Sequence, residues 1–247
     1  MSDRKQGVLA EVLVILLLLS AVTAHIIVAV PVPPLDIQEW DSRRSPPSVS
    51  SVAAQAGNIT ELLINATVIT KTWQGYFGNI TGKIVLDDAN NKSMYDWNIV
   101  TPQGEIYAAN ETVDDWSSIK CFNYSASAPE LNLSKLEQIL DCVGDADGVN
   151  ETFTTKNHPG FWVGSTYISP NTCWSTQTYV NDGTSNNFYE VLLLEPNKNI
   201  IVYTSIINAS KTGFDNTLTD FQMLVGENGH GSAASTTTQY YFYVELY

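Results

Sequence analysis

The chain has 247 residues, with 12 Lys+Arg against 26 Asp+Glu, a formal net charge of -14 and 44% hydrophobic residues. That is enough apolar material for a real core in one domain of ordinary size or two small ones. No arginine follows Arg44, and an acidic surface without guanidinium forks excludes nucleic acid and an anionic leaflet as partners.

Val8 to Val30 form an almost unbroken apolar run behind the polar head MSDRKQ, closed by Pro31, Pro33 and Pro34. A helix of this length spans roughly 35 Å, enough to cross a hydrocarbon core. Three readings stand: an uncleaved signal anchor, a secretory signal peptide cut after Ala24, or a prepilin-type leader cut near Gly7; a fourth, a globular core helix, sits poorly with a run at the extreme N-terminus behind a basic head. Glu11 is the candidate residue of this helix, since a carboxylate inside a membrane span is costly and usually has a partner or a role. Its alternative is a place close enough to the helix start to reach the interface, and His25 reads as interfacial at the other end. Arg4-Lys5-Gln6-Gly7 and the Glu-containing apolar stretch behind it resemble the class III signal peptides of archaeal type IV pilin-like proteins. The resemblance implies removal of the leader and packing of the exposed helices into a filament core or the membrane.

Nine Asn-x-Ser/Thr sequons follow the helix, at Asn58, Asn65, Asn79, Asn91, Asn110, Asn123, Asn132, Asn150 and Asn208. They predict surface N-glycosylation of an exported domain. Arg4 and Lys5 before the helix, with Asp36, Glu39 and Asp41 behind it, favour the same inside-to-outside direction. Residues 31–57, rich in Pro, Ser and Ala, read as a semi-rigid spacer that holds the domain off the membrane, or as a segment that docks on a neighbouring subunit. Trp40 is placed at headgroup level.

Residues 58–247 then present short β-type runs between turn signals. Expected strands lie in Thr60–Thr70, Trp73–Leu86, Met94–Val100, Glu105–Ala109, Phe161–Ser169, Cys173–Val180, Phe188–Leu194, Ile200–Ile207, Phe221–Val225 and Thr236–Tyr247. Asp87–Asn91 and Glu195–Asn199 are expected hairpin loops, and Asn181-Asp182-Gly183 a turn. One helix is predicted at about Ser134–Val143, with Ser134 and Glu137 as a capping box and Leu136, Ile139, Leu140 and Val143 on one packed face. Regularly spaced strands with a single short helix imply a mainly β chain, a β-sandwich or jelly-roll-like ectodomain behind one N-terminal membrane or pilin-like helix. The aromatic terminal run TTTQYYFYVELY is expected to complete its own sheet, or to pair with an open edge on another subunit. The segments Gln55–Trp97, Asp114–Cys121 and Tyr240–Tyr247 resemble archaeal cell-surface proteins that begin with a membrane helix and continue as a β-rich domain. That resemblance implies an envelope location and no particular chemistry.

Of the three cysteines, Cys121 and Cys142 are expected to form a disulfide that fastens the helix, leaving Cys173 free or bridging subunits. No catalytic motif appears: His158 and His230 stand in no recognisable setting, and P-loop, zinc, haem and nucleophile-elbow patterns are missing. No cofactor is expected, with one exception. Asp145, Asp147, Asn150 and Glu151 supply the hard oxygens of a structural calcium loop, although their spacing departs from the EF-hand and also fits a solvated turn. Asp87/Asp88 and Asp114/Asp115 are adjacent pairs that point to opposite faces of a strand, so they read as loop acids rather than a glycosidase couple. The six tryptophans fill a β core or form a sugar-stacking platform. The reading that follows is a non-enzymatic cell-surface protein serving adhesion, envelope structure or pilus-like filament assembly, with membrane lipid and its own copies as partners. Its alternative is an anchored carbohydrate-binding or carbohydrate-hydrolysing ectodomain with surface glycans as ligands.

Overall fold

Strand occupies 39% and helix 8% of the described residues, so the chain is mainly β. The computed structural model describes residues 30–39, 51–180, 183–229 and 237–247. The Val8–Val30 run as far as residue 29, with Glu11 and His25, lies outside them, as do Trp40, Asn181-Asp182 and His230. Among the described residues no helix is long and apolar enough to cross a membrane.

The first four strands are β1 (Trp73–Gly78), β2 (Gly82–Asp87), β3 (Ser93–Ile99) and β4 (Gly104–Ala109). A 3₁₀ turn at Trp116–Ser118 leads into β5 (Lys120–Cys121), and two helices follow, α1 (Leu133–Leu140) and α2 (Val149–Thr152). Next come β6 (Phe161–Val163), β7 (Thr166–Ile168), β8 (Ser175–Val180), β9 (Gly183–Glu195) and β10 (Ile200–Ile206). The chain closes with β11 (Lys211–Thr212), β12 (Leu218–Thr219), β13 (Phe221–Gly226) and β14 (Tyr241–Leu246). Both expected hairpin loops are present: Asp87–Asn91 joins β2 to β3, and Glu195–Asn199 joins β9 to β10.

One antiparallel sheet organises the domain in the order β14-β4-β10-β9, with β5 and β8 both paired to β9. Because side chains alternate between faces, its central strands feed two cores. Ile106, Ala108, Leu192, Leu194, Ile201 and Tyr203 pack beneath α1 and the β1–β13 ribbon, with Leu136, Leu140, Met223 and Val225. Tyr107, Val191, Leu193 and Val202 face the other way, toward Phe161, Val163, Ile168 and Trp116. The sandwich expectation is met only coarsely: the described strands do not divide into two sheets of similar size, and the layers over the large sheet are two-stranded. Gly104 opens β4 at φ +133, where a Cβ would be driven into the Glu245 carbonyl oxygen.

Four local expectations are corrected. The helix begins at Leu133 behind Asn132, whose side-chain oxygen accepts from Lys135 N–H at 3.2 Å, so Asn132 and not Ser134 is the N-cap. Glu137 accepts from the Asn150 N–H instead and ties α1 to α2. Asp141 turns into the left-handed region and stops the helix early, leaving Ile139 and Val143 exposed while Leu136 and Leu140 are buried. The alternating stretch Thr60–Thr70 forms no strand and lies exposed along its length. Finally, the spacer begins on the domain itself: Val32 exchanges both backbone hydrogen bonds with Val244 of β14, at 3.0 and 2.8 Å.

The predicted disulfide is also corrected. Cys121 bonds Cys173, with Cα atoms 4.9 Å apart, and Cys142 is the free, buried thiol. Pairing places both bridge partners along the same edge of β9, since Cys121 opposes Leu193 while Ser175, two residues past Cys173, opposes Val191. Cys142 sits in the opposite core under α1, where burial pushes its thiol up to about 11. Sequence separation carried no information about which side of the sheet each cysteine would take.

Candidate functional site

The β2–β3 ribbon follows a strict alternation. Cross-strand partners lie on the same face, and the pairs Ile84/Trp97 and Leu86/Tyr95 make one face wholly apolar. The other face carries the Lys83–Asp96 ion pair at 2.7 Å, with Asn98 and Val85. An amphipathic ribbon of this kind ordinarily lays its apolar face on a core. Here Ile84, Leu86, Tyr95 and Trp97 each remain 50–60% exposed. Trp97 and Tyr95 contact one another, ring centroids 4.9 Å apart, and among the described residues β2 and β3 pair only with each other. The tip Asp87–Lys92 is polar, held by Asp88 accepting from Asn90 and Lys92 N–H. Those bonds hold the Asp88 carboxyl below its ordinary value.

A second uncovered segment lies in the arm before β1. It returns to the domain at Thr70, whose hydroxyl donates to Asp147 Oδ2, and at Lys71 and Thr72, whose carbonyls accept from Gly229 and Glu227 N–H. Upstream of Thr70, Ile59 and Leu63 are fully exposed, and Leu62, Ile64, Val68 and Ile69 are exposed by more than half. Clusters of exposed apolar side chains are uncommon on a folded protein and are candidates for contact with a partner.

Four glutamates are buried among the described residues; Glu195 accepts from the Asn197 and Lys198 N–H groups of its own hairpin loop, and the other three form a chemical feature that sequence reasoning missed. Glu105 and Glu245 oppose one another across β4 and β14 on one face, and Glu190 lies on the other face of β9. Tyr247 donates to Glu105 Oε1 at 2.8 Å, while Glu105 Oε2 has no partner among the described residues. Burial, then the neighbouring Glu245, raise its pKa to about 8 against the opposing Tyr247 bond. Glu245 accepts from Gly164 N–H at 3.0 Å and from the Tyr107 hydroxyl at 3.1 Å, pinning the β6–β7 turn to the sheet. Glu190 accepts from Leu224 N–H at 2.8 Å, and burial holds it protonated well above its ordinary range. The sequence signal was a lone Glu inside an apolar strand, as in FYEVLLL and YVELY.

Over Glu245 lies the β6–β7 hairpin, whose Trp162 and Tyr167 rings stand on its outer surface, half exposed and 5.0 Å apart. This is an aromatic platform above two carboxyls, yet Glu105 and Glu245 are sealed from solvent beneath it. The remaining tryptophans divide between roles. Trp116 is in the core against Tyr107 and Tyr243, Trp73 edges Tyr203, and Trp174 stacks on Tyr124 at 4.2 Å under the Lys156 ammonium.

His158 is buried, and its Nε2 accepts from the Thr172 and Cys173 N–H groups, so Nδ1 carries the proton and donates to the Pro159 carbonyl. Burial lowers its pKa. It braces the disulfide loop in the neutral form. Among the calcium candidates, Asp147 accepts from Thr70, and the Asn150 amide donates to Glu151 at 3.2 Å. Among the described residues no group of three or more His, Cys, Asp or Glu converges as a metal site. Asp114 pairs with Lys198 at 2.8 Å, and Asp115 caps the 3₁₀ turn through Ser117 N–H.

Seven sequon asparagines, Asn58, Asn65, Asn79, Asn91, Asn110, Asn123 and Asn150, are exposed. Asn208 is half-buried and donates to the Asn187 carbonyl. Asn132 is 2% exposed, with its amide nitrogen on the Ala128 carbonyl and its oxygen in the helix cap, so the folded domain offers no room for a glycan there. Comparison with known protein families, with curated proteins and with solved structures finds no match.

Proposed function

We propose that this chain is a non-enzymatic cell-surface subunit that assembles with copies of itself, its β domain outside the membrane and its Val8–Val30 helix either anchoring it or packed in a filament core. The observation that carries the reading is the uncovered apolar face of the β2–β3 ribbon, Ile84, Leu86, Tyr95 and Trp97. Such a face in water lowers the free energy of association by roughly 25 cal/mol for each Å² it buries. The polar tip, with a sequon at Asn91, argues against insertion of this ribbon into lipid. Exposed sequons on seven of nine asparagines support a glycosylated outer surface. The Val32–Val244 pairing supports a domain seated directly on the end of the helix, two residues beyond Val30.

The test is the mass of the full chain extracted from membranes in mild detergent, by light scattering. Multiples of the single-chain mass are expected, and one copy per particle across a wide concentration range refutes self-assembly. A second reading, glycan binding without hydrolysis, is favoured by the Trp162–Tyr167 ring pair. It predicts glycan-array binding that Trp162→Ala abolishes, and an array with no bound glycan removes it.

A further inference from the structure

We propose that the arm of residues 59–69 of one copy adds as a third strand to the β2–β3 ribbon of the next copy, so that subunits join head to tail. The inference rests on the self-assembly reading and names its joint.

The arm has the pattern of a strand and no sheet. Leu62, Ile64, Ala66 and Val68 alternate onto one side, with Leu63, Asn65, Thr67 and Ile69 on the other. No backbone hydrogen bond engages 59–69 among the described residues. A stretch this rich in β-branched residues leaves its amides to water only while it lacks a partner strand. The loop that carries it is fastened at both ends, by Val32 on β14 and by Thr70 on Asp147. The arm therefore lies between two fixed points rather than in a free tail.

The ribbon supplies the complementary need. Two strands alone are marginal in water, and among the described residues neither outer edge has a partner strand, which leaves a template for strand addition. Eleven arm residues extend over roughly 36 Å, against roughly 20 Å for the six residues of β2, so the arm covers an edge from end to end. Setting Leu62, Ile64 and Val68 on the side of Ile84, Leu86, Tyr95 and Trp97 extends one apolar face across three strands. Asn65 then points to the opposite side and Asn91 stays at the tip, so glycans at either sequon leave the joint open.

Among the described residues the two surfaces do not cover one another. The arm re-enters the domain at the Trp73 end of β1, whereas the ribbon starts beyond its Gly78 end, with the Gly82 backbone against Leu246 and Ile99. Both remain exposed there. Arm and ribbon are different surfaces, so the contact is heterologous and propagates into a ring or an open filament.

The test uses full-length protein made with a photo-crosslinking amino acid in place of Trp97, as a mixture of isotopically light and heavy chains assembled in membranes. Mass spectrometry is expected to find position 97 joined to peptides from 59–69, with light–heavy pairs at the frequency of random mixing. Leu62→Asp combined with Ile64→Asp and Val68→Asp is expected to abolish that crosslink while the Cys121–Cys173 bridge still forms. Crosslinks joining only chains of the same label place the arm on its own ribbon and overturn the proposal. Assembled particles in which position 97 crosslinks elsewhere overturn the joint alone, and single-copy particles overturn the assembly reading with it.

Discussion

Glu105→Gln is the most informative single substitution in the sheet. Glu105 is fully buried on β4, with Glu245 opposite it and the Tyr107 and Tyr247 hydroxyls beside the pair. One hydrogen bond from Tyr247 cannot replace the hydration of an ionised carboxylate whose second oxygen has no partner among the described residues. The group therefore ionises near 8 in the folded chain, against 4.5 when exposed. Between those values the unfolded chain binds fewer protons than the folded one, so stability falls as pH rises. Stability from this group is complete below pH 4.5 and lost as pH passes about 8. At about 1.4 kcal/mol per pH unit, the loss is on the order of 5 kcal/mol, comparable to the whole stability of a small domain. Glu190 and Glu245, both raised by burial, act in the same direction. Urea unfolding followed by tryptophan fluorescence, from pH 5 to 9, measures the effect. The Gln variant, neutral throughout, is expected to lose less stability over this range and to exceed the wild type at pH 9. Parallel losses in both proteins, or a variant weaker at pH 9, refute the buried-acid argument.

The Cys121–Cys173 bridge closes a loop of 52 residues, so Cys121→Ser is expected to cost about 4 kcal/mol in denaturant unfolding, by restoring loop entropy to the unfolded chain. Non-reducing peptide mapping of the wild type is expected to show that linkage, with Cys142 alkylated only after unfolding. His158 acts with the opposite sign to Glu105: its folded pKa lies below the ordinary 6.5, so its contribution is complete above pH 6.5 and declines as pH falls below it. NMR titration of the ring is expected to show a pKa below 6.5 with Nδ1 protonated, and a value above 6.5 refutes the assignment. Asn132→Ala removes the α1 cap and is expected to cost about 1 kcal/mol, whereas Ser134→Ala, outside the cap, is expected to change thermal stability little.

Amino-acid order alone determined the β character of the chain. Period-2 runs and Gly/Asn/Asp turns need only local sterics, which is why β2–β3 and β9–β10 fall around the loops read from Asp87–Asn91 and Glu195–Asn199. The position of α1 was legible for the same reason, within two residues at its start. Only the tertiary structure decided which cysteine met Cys121, because that depends on β5 and β8 sharing one edge of β9. It also decided which acids were buried: Glu105, Glu190 and Glu245, among others, look like surface residues until neighbouring strands cover both faces of the sheet. The same holds for the exposed apolar segments. Thr60–Thr70 and Ile84–Trp97 carry similar alternation to the core strands. Alternation marks a strand that needs a partner and a covered face, but where each lies is set by contacts between segments far apart in sequence. For these two segments the described residues supply no cover.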